Sequence, residues 1–197
     1  MLHNLKDHAH WVTTLALNTD FVLRTGPFDH TSKKPSSNAE GTSAHHFVII
    51  MLTGFDCTAQ KWALERYQAL LQNTPELLIS GSDDHTLFLW SLFSSPISTN
   101  TKKPTPLTRL NGHQRQISHV QFSPDGRWAA STSFDGSVRI WEGRTGKFVG
   151  TLRGHVGAVY RVTWSADSRM VVSASKDATV KVSPATPPTN FLCGVWK

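Results

Sequence analysis

Residues 131–141 read STSFDGSVRIW and residues 173–183 read SASKDATVKVS, so one pattern of small, acidic and alternating residues occurs twice. The two copies are offset by 42 residues throughout. In each copy a His lies 22 residues before the Asp: His113 before Asp135, and His155 before Asp177. A constant offset of this length indicates an internal repeat in which each unit builds the same supersecondary structure.

A third copy is present in two pieces that lie far apart in the chain. LKDHAHWVTTLAL (5–17) supplies its beginning with His8, and LISGSDDHTLFLW (78–90) supplies its end with Asp84. His8 and Asp84 are 76 residues apart instead of 22, so we predict a long insertion inside this copy.

Alternation of apolar and polar residues predicts short strands in every copy. The turn sequences SPDGR (123–127) and SADSR (165–169) separate the strands, and their spacing excludes a helical unit. We therefore predict an all-β fold. The apolar residues of the first strands are expected in the core: Val12, Leu15 and Leu17; Ile117, Val120 and Phe122; and Val159, Val162 and Trp164.

Composition and hydropathy narrow the class of protein. With 39% hydrophobic and 17% charged residues, the chain has the composition of an ordinary globular protein. Its longest apolar run, 47–52, is far shorter than the ~20 residues of a membrane-spanning helix, and the N-terminus has no signal-peptide pattern. Cys57 and Cys193 show neither a metal-binding nor a disulfide spacing. We expect no membrane partner, no secretion and a reducing compartment.

Charge is divided unevenly along the chain. Residues 1–99 carry 6 Lys and Arg against 9 Asp and Glu, whereas residues 100–197 carry 14 against 5. A basic surface can follow a nucleic-acid backbone. A solvated surface with scattered cations explains the same numbers, because the longest basic run is Lys102-Lys103.

The repeat resembles the WD40 family over roughly residues 3–26 and 76–182. Its 42-residue offset lies within the period of about 40–45 residues of that family, in which each unit is a four-stranded blade of a β-propeller. The resemblance implies a WD40 propeller fragment of about three blades, since a closed propeller has about four to eight. The expected units are 3–90 with a partly helical insertion at 27–76, then 107–148, an incomplete unit at 149–182, and a divergent tail at 183–197.

In WD40 proteins a His, a Ser or Thr, an Asp and a Trp form a buried hydrogen-bonded tetrad within a blade. The resemblance implies complete tetrads in the first and second copies. The third copy lacks its Trp, because Ser183 stands at the corresponding position. The members are His8, Ser80, Asp84 and Trp90; His113, Ser131, Asp135 and Trp141; and His155, Ser173 and Asp177.

Ser, His and Asp side chains also suggest a hydrolase, because a nucleophile, a base and an orienting carboxylate perform acyl transfer. A catalytic site is normally built once, whereas this set recurs at the same offsets. We therefore expect a structural role, no enzymatic activity and no cofactor. The pair His45-His46 has no third ligand at a metal spacing, so no metal site is predicted.

Two segments depart from the repeat. The insertion contains an apolar run at 47–55 and a predicted helix within TAQKWALERYQALLQN (58–73). After Val182 the chain continues as SPATPPTN (183–190), whose prolines cannot donate to a sheet ladder. We expect the last strand to end there, either because the chain is a piece of a longer protein or because the tail is a divergent cap.

The WD40 resemblance also implies a partner-binding rim. In that family the residues three and five after the repeat His, and the residue before the Asp, often face partners. Here these are Trp11, Thr13 and Asp83; Gln116, Ser118 and Phe134; and Ala158, Tyr160 and Lys176. The three aromatic residues are the expected anchors, since large aromatics carry much of the binding energy at interfaces. Packing within the fold is the alternative.

Several stretches are similar to the Notchless family of WD40 proteins, in order along the chain: TLALNTDFVLRTGPFD (14–29), ALERYQ (63–68) at the end of the insertion, LISGSDDHTLFLW (78–90) and SFDGSVRIWEGRTGKFVGTLRGHVGAVY (133–160). That family implies nucleolar assembly of the large ribosomal subunit, with precursor ribosomal RNA and proteins as partners, and a link to Notch signalling. Its contact with the midasin ATPase uses an N-terminal ubiquitin-like domain that these residues lack, so this contact is not expected. A generic adaptor for signalling or ubiquitin-ligase complexes, or a non-functional truncated product, is the alternative.

Overall fold

The computed structural model describes residues 4–21, 67–68, 75–92, 104–185 and 195–196. These parts consist mainly of short strands joined by tight turns. The strands are β1 (Val12–Leu17), β2 (Leu77–Ser82), β3 (Leu87–Ser91), β4 (Thr105–Leu110), β5 (Ile117–Phe122), β6 (Trp128–Ser133), β7 (Val138–Glu142), β8 (Phe148–Leu152), β9 (Val159–Trp164), β10 (Met170–Ser175), β11 (Val180–Pro184) and β12 (Val195–Trp196).

The strands form three sheets. The first has the order β1-β2-β3-β4, the second has β5-β6-β7-β8 with β12 added beside β8, and the third has β9-β10-β11. Neighbours that follow one another in sequence pair antiparallel, which suits short turns, whereas β12 lies parallel to β8. The prediction of an all-β fold is confirmed for the described residues.

The sheets are shifted by one strand relative to the units predicted from the sequence. β4 pairs with β3, with Leu110 opposite Leu87, and so completes the first sheet. β8 likewise pairs with β7 and completes the second sheet. The predicted boundaries at 107 and 149 therefore fall inside strands that belong to the preceding sheet. The recurring His follows this fourth strand. The sequence repeat therefore begins with the last strand of one sheet, whereas each sheet begins with the strand after the His.

The hydrophobic core lies between consecutive sheets. One cluster joins β2 and β3 residues of the first sheet, including Ile79 and Leu89, to Ile117 and Val120 on β5. A second cluster joins Val138 and other residues of the second sheet to β9 of the third. In both clusters the first strand of a sheet packs its apolar residues against the sheet before it.

Two of the expected core residues are exposed instead. Val12 is 48% exposed and Leu15 is 63% exposed, so the prediction is wrong for both. The reason is the direction of packing, because no sheet precedes β1 in the described part of the chain. Val180 and Val182 on β11 are 66% and 58% exposed. The aligned residues of the second sheet pack against the sheet that follows, whereas no sheet follows β11 in the described part of the chain.

Hydroxyl groups tie the first strands of neighbouring sheets together. Thr13 on β1 donates to the carbonyl of Ile117 at 2.7 Å. Ser118, at the same position of β5, donates to the carbonyl of Val159 at 2.6 Å. The contact recurs at each described junction between sheets and so fixes how one sheet is seated on the next.

The remaining predictions concern the two segments that depart from the repeat. The apolar run at 47–55 lies outside the described residues, and so does the predicted helix apart from Tyr67 and Gln68. β11 continues through Ser183 to Pro184, with Ser183 opposite Val171, so the expected end of the strand at Val182 is two residues too early. Pro184 is tolerated because it lies on an edge strand. Among the described residues, no helix has the length and apolar character needed to cross a membrane.

Candidate interaction groove and the tetrads beneath it

The second sheet contains a hydrogen-bonded chain of four buried or partly buried side chains. The Trp141 indole donates its N–H to the Ser131 hydroxyl at 2.8 Å. Ser131 Oγ lies 2.8 Å from His113 Nε2, and His113 Nδ1 lies 3.0 Å from a carboxylate oxygen of Asp135. Because Ser131 accepts from the indole, its own proton goes to Nε2, and the imidazole then donates from Nδ1 to the carboxylate.

The same arrangement spans the insertion in the first sheet. His8 lies 2.7 Å from Ser80 and 3.0 Å from Asp84, and Trp90 donates to Ser80 at 2.9 Å. These residues are brought together although His8 lies 72 positions before Ser80. The structure thus assembles this set from both ends of the first copy.

The third sheet contains the same chain without an indole. His155 lies 2.9 Å from Ser173 and 3.0 Å from Asp177. Ser183 lies opposite Val171, and Trp141 lies opposite Ala129, which is the aligned residue of the second sheet. Ser183 therefore takes the strand position of Trp141. The hydroxyl of Ser173 therefore has no tryptophan from β11 to accept from.

Each Asp of these sets acts as a clamp for the loop that follows the His. Asp135 accepts the backbone N–H of Gln114 at 3.0 Å, in addition to its bond with His113. Its other oxygen accepts the hydroxyl of Ser137 at 2.6 Å. Both oxygens are therefore engaged, and the loop at 113–114 is held against the turn at 135–137.

Sequence reasoning missed the hydroxyl residue two positions after each Asp. Thr86, Ser137 and Thr179 each donate to their Asp at 2.6 Å. The signal is present in the sequence as Asp-x-Ser or Asp-x-Thr in all three copies. The first and second sets thus contain five side chains each, and the third set, which has no Trp, contains four.

Burial and these hydrogen bonds shift the pKa values of Asp84, Asp135 and His113. Burial would raise the pKa of Asp84, but hydrogen bonds from Thr86, from His8 and from backbone amides outweigh it and lower the pKa to about 2. Asp135 is likewise held well below its ordinary pKa against the opposing effect of burial, chiefly by His113 and Ser137. Burial lowers the pKa of His113, although its bond to Asp135 acts in the opposite direction. The carboxylates are therefore charged and His113 is neutral at physiological pH.

The second-sheet set is not built to hydrolyse a substrate. Ser131 is fully buried, and its oxygen already accepts the indole N–H while its proton is given to His113. A nucleophile must instead reach the substrate. Within the described ranges, no group of three or more His, Cys, Asp or Glu side chains is placed to hold a metal ion.

A groove opens above these clamps, where the second and third sheets meet. We call it the inter-sheet groove; its cavity is about 620 Å³. Four of the nine residues predicted for the rim line it: Phe134, Ala158, Tyr160 and Lys176. The rings of Phe134 and Tyr160 meet edge to face with centroids 5.8 Å apart. The structure thus brings two of the three predicted aromatic anchors into one contact.

The other five predicted rim residues lie elsewhere. The side chains of Thr13 and Ser118 are used in the contacts between sheets described above. Trp11 is 77% exposed, and its carbonyl accepts the N–H of Asp83 at 3.0 Å. Gln116 is exposed and accepts the Phe134 N–H through its carbonyl at 3.1 Å. Thr13 and Ser118 therefore join sheets, whereas Trp11, Asp83 and Gln116 do not line the inter-sheet groove.

Comparison with known families decides the class of this protein. The model of the WD domain, G-beta repeat, matches residues 69–91, 104–142 and 146–182, which together make up half of the chain. The chain belongs to the WD40 repeat family. The WD40 repeats matched at 104–142 and 146–182 contain the second and third hydrogen-bonded sets.

Several curated proteins are similar to this WD40 chain. Ribosome assembly protein 4 of Saccharomyces cerevisiae is 47% identical over 150 residues, which cover 75% of this chain and 24% of that protein. The Notchless protein homolog of Arabidopsis thaliana is 48% identical over 126 residues, covering 64% and 21%, and Protein Notchless of Drosophila melanogaster is 46% identical over 118 residues, covering 60% and 20%. The chain spans a quarter or less of the length of these relatives.

The WD40 rim rule missed other residues that line the groove. Gln114, Arg115 and Val156 contribute to its walls, and Val156 is 96% exposed. Gln114 and Val156 directly follow the repeat His, and Arg115 follows one position later. A sequence signal for these residues is their position directly after the repeat His. Asp135 and Asp177 accept the backbone N–H groups of Gln114 and Val156, which holds the backbone and leaves the side chains to point outward.

Proposed function

We propose that this chain is a non-enzymatic interaction scaffold that acts in the assembly of the large ribosomal subunit. The observation that carries the proposal is the 47% identity over 150 residues with Ribosome assembly protein 4, because the match covers 75% of this chain. The proposed partners are proteins and RNA of the precursor large subunit. The proposed location is the nucleus, and within it the nucleolus.

The site supports binding rather than catalysis. The Ser, His and Asp side chains of the second sheet satisfy one another and hold a loop, while exposed aromatic and basic side chains line the groove above them. Rigid scaffolds that present side chains on short loops are a common basis for binding sites. The excess of 14 Lys and Arg over 5 Asp and Glu in residues 100–197 favours a partner of negative charge.

Sedimentation of the tagged full chain with ribosomal precursors tests this proposal. We expect the chain in the gradient fractions that contain precursor large-subunit RNA, and expect it to leave them when those precursors are depleted. A chain found only near the top of the gradient, bound to soluble signalling or ubiquitin-ligase proteins, would overturn the proposal. That result would favour a general adaptor instead, with the Notch link that the names of the relatives suggest.

A further inference from the structure

We infer that the inter-sheet groove binds an acidic peptide segment that carries an apolar side chain next to its carboxylates. This inference rests on the proposed function, because it gives the chemistry of one partner of the scaffold. It is carried by the volume of the groove, by the exposed apolar side chains that line it and by the positive charge of the exposed Arg115 and Lys176.

The groove is large enough to receive the side chain of a peptide. Its volume of about 620 Å³ falls within the roughly 300–1,000 Å³ of pockets that take small ligands. Its walls come from two sheets whose relative position is fixed by the Ser118 hydrogen bond to Val159. A preformed groove of this kind loses little conformational entropy when a peptide enters.

Three apolar side chains that line the groove are exposed to solvent. Phe134 is 37% exposed, Tyr160 is 49% exposed and Val156 is 96% exposed. The edge-to-face contact between Phe134 and Tyr160 limits the motion of both rings. An apolar side chain of a partner would therefore be received by surfaces that are already ordered, which is the typical environment of an interface anchor.

The exposed charges of the groove are basic. Arg115 and Lys176 line it and are both exposed. Asp135 also lines it, but both of its oxygens are used by His113, Ser137 and the Gln114 amide. A carboxylate placed beside Arg115 or Lys176 would gain an ion pair and give orientation.

The same charges favour a peptide over a nucleic acid. A nucleic-acid strand would bring a row of phosphates into a groove whose lining offers two exposed cations, Arg115 and Lys176. Bases also stack on open ring faces, whereas Phe134 and Tyr160 are set edge to face at 80°. One or two carboxylates beside an apolar side chain match both features.

Binding of labelled peptides to the purified full chain tests the inference by fluorescence polarisation. The probe is a short, otherwise neutral peptide in which one aspartate and one glutamate flank a central leucine. We expect Tyr160→Ala and Lys176→Glu each to weaken its binding by about tenfold or more, as for loss of an interface anchor. Arg169→Glu is the matched control, because it makes the same change of charge in the 165–169 turn at the other end of β9 and should leave binding unchanged.

Two further probes decide between partners: the same peptide with lysine at every acidic position, and a short oligouridylate. Preference for either over the acidic peptide, or equal weakening by Arg169→Glu, would overturn the inference. Circular dichroism melts confirm that each variant is folded, and a variant that does not fold is replaced by Arg115→Gln or Lys176→Gln, each of which should also weaken binding because it removes a basic charge from the groove. Failure to bind the acidic peptide while the chain still sediments with ribosomal precursors would reject this inference and leave the proposed function standing; the reverse pattern would reject the proposed function alone.

Discussion

The hydroxyl of Ser118 donates to the carbonyl of Val159 across the boundary between the second and third sheets, with 2.6 Å between the oxygens. Thr13 makes the equivalent bond to Ile117 at 2.7 Å. Both residues occupy positions that the WD40 resemblance predicts for a partner-binding rim. In the structure their hydroxyls form hydrogen bonds between one sheet and the next.

Replacing Ser118 with Ala should therefore lower stability. We expect the free energy of unfolding to fall by about 1 kcal/mol, because a net hydrogen bond is worth about 0.5–1.5 kcal/mol and the Val159 carbonyl loses its donor. Urea denaturation measures the change. Ser118→Thr is the control, since the aligned residue of the first sheet is a Thr that keeps the bond. Equal stability of the Ala and Thr variants would show that the hydroxyl does not join the sheets.

The absence of a Trp at position 183 of the third sheet leads to a second prediction. Trp141→Phe removes the N–H that Ser131 accepts and part of a side chain that is 2% exposed, so we expect a loss of about 2 kcal/mol or more. Ser183→Trp supplies a donor at the aligned position and should raise stability by about 1 kcal/mol.

Amide hydrogen exchange checks both variants by region. In the unchanged chain we expect faster exchange across 155–182 than across 113–141, because β11 exposes Val180 and Val182. Ser183→Trp should slow exchange in β10 and β11 without affecting β2. Equal protection of both regions in the unchanged chain would contradict the structural difference between the two sets.

Acid should destabilise the fold in two stages. The folded pKa of His113 lies below its ordinary value of 6.5, so the unfolded state binds more protons and stability begins to fall as pH drops below 6.5. The folded pKa of Asp84 is about 2 against an ordinary value of 3.8, so its contribution is present above 3.8 and is lost as pH falls toward 2.

Urea denaturation at a series of pH values measures these stages, and nuclear magnetic resonance assigns them. The imidazole of His113 should titrate with a midpoint below 6.5 in the folded chain. A midpoint above 6.5 would mean that the attraction of Asp135 outweighs burial, and stability would then rise on mild acidification.

The turn after Asp177 offers a stabilising substitution. Ala178 has a φ of 60°, whereas Gly136 occupies the aligned position with a φ of 83°. A residue with a Cβ in this left-handed region costs about 1–2 kcal/mol. Ala178→Gly should therefore raise the free energy of unfolding by about 1 kcal/mol, after allowing for the greater freedom of Gly in the unfolded chain.

The reverse substitution provides the comparison for this turn. A Cβ at Gly136 would meet the carbonyl oxygens of His155 and Gly157 at 3.2 and 3.3 Å, so Gly136→Ala should be destabilising and should disturb the inter-sheet groove. Thermal melts of both variants give the result. A lower melting temperature for Ala178→Gly would show that chain entropy outweighs backbone strain at this turn.

Much of the local structure was contained in the sequence. The 42-residue offset between Asp135 and Asp177, and the alternation around each, predicted strands and turns because a residue's neighbours along the chain decide these elements. The hydrogen-bonded chain His113, Ser131, Asp135 and Trp141 could be proposed from the WD40 pattern, and the structure brings these side chains within hydrogen-bonding distance.

Only the tertiary structure decided which faces are covered and which side chains meet. Val120 and Leu15 occupy equivalent positions in the repeat, yet one is 2% exposed and the other 63%, because burial depends on whether a sheet lies in front of that face. Arg115 and Lys176 are 61 positions apart and meet at one groove because two separate sheets are seated side by side. The sequence repeats one pattern of strands and turns, whereas packing gives each copy different neighbours, and the inter-sheet groove results from this packing.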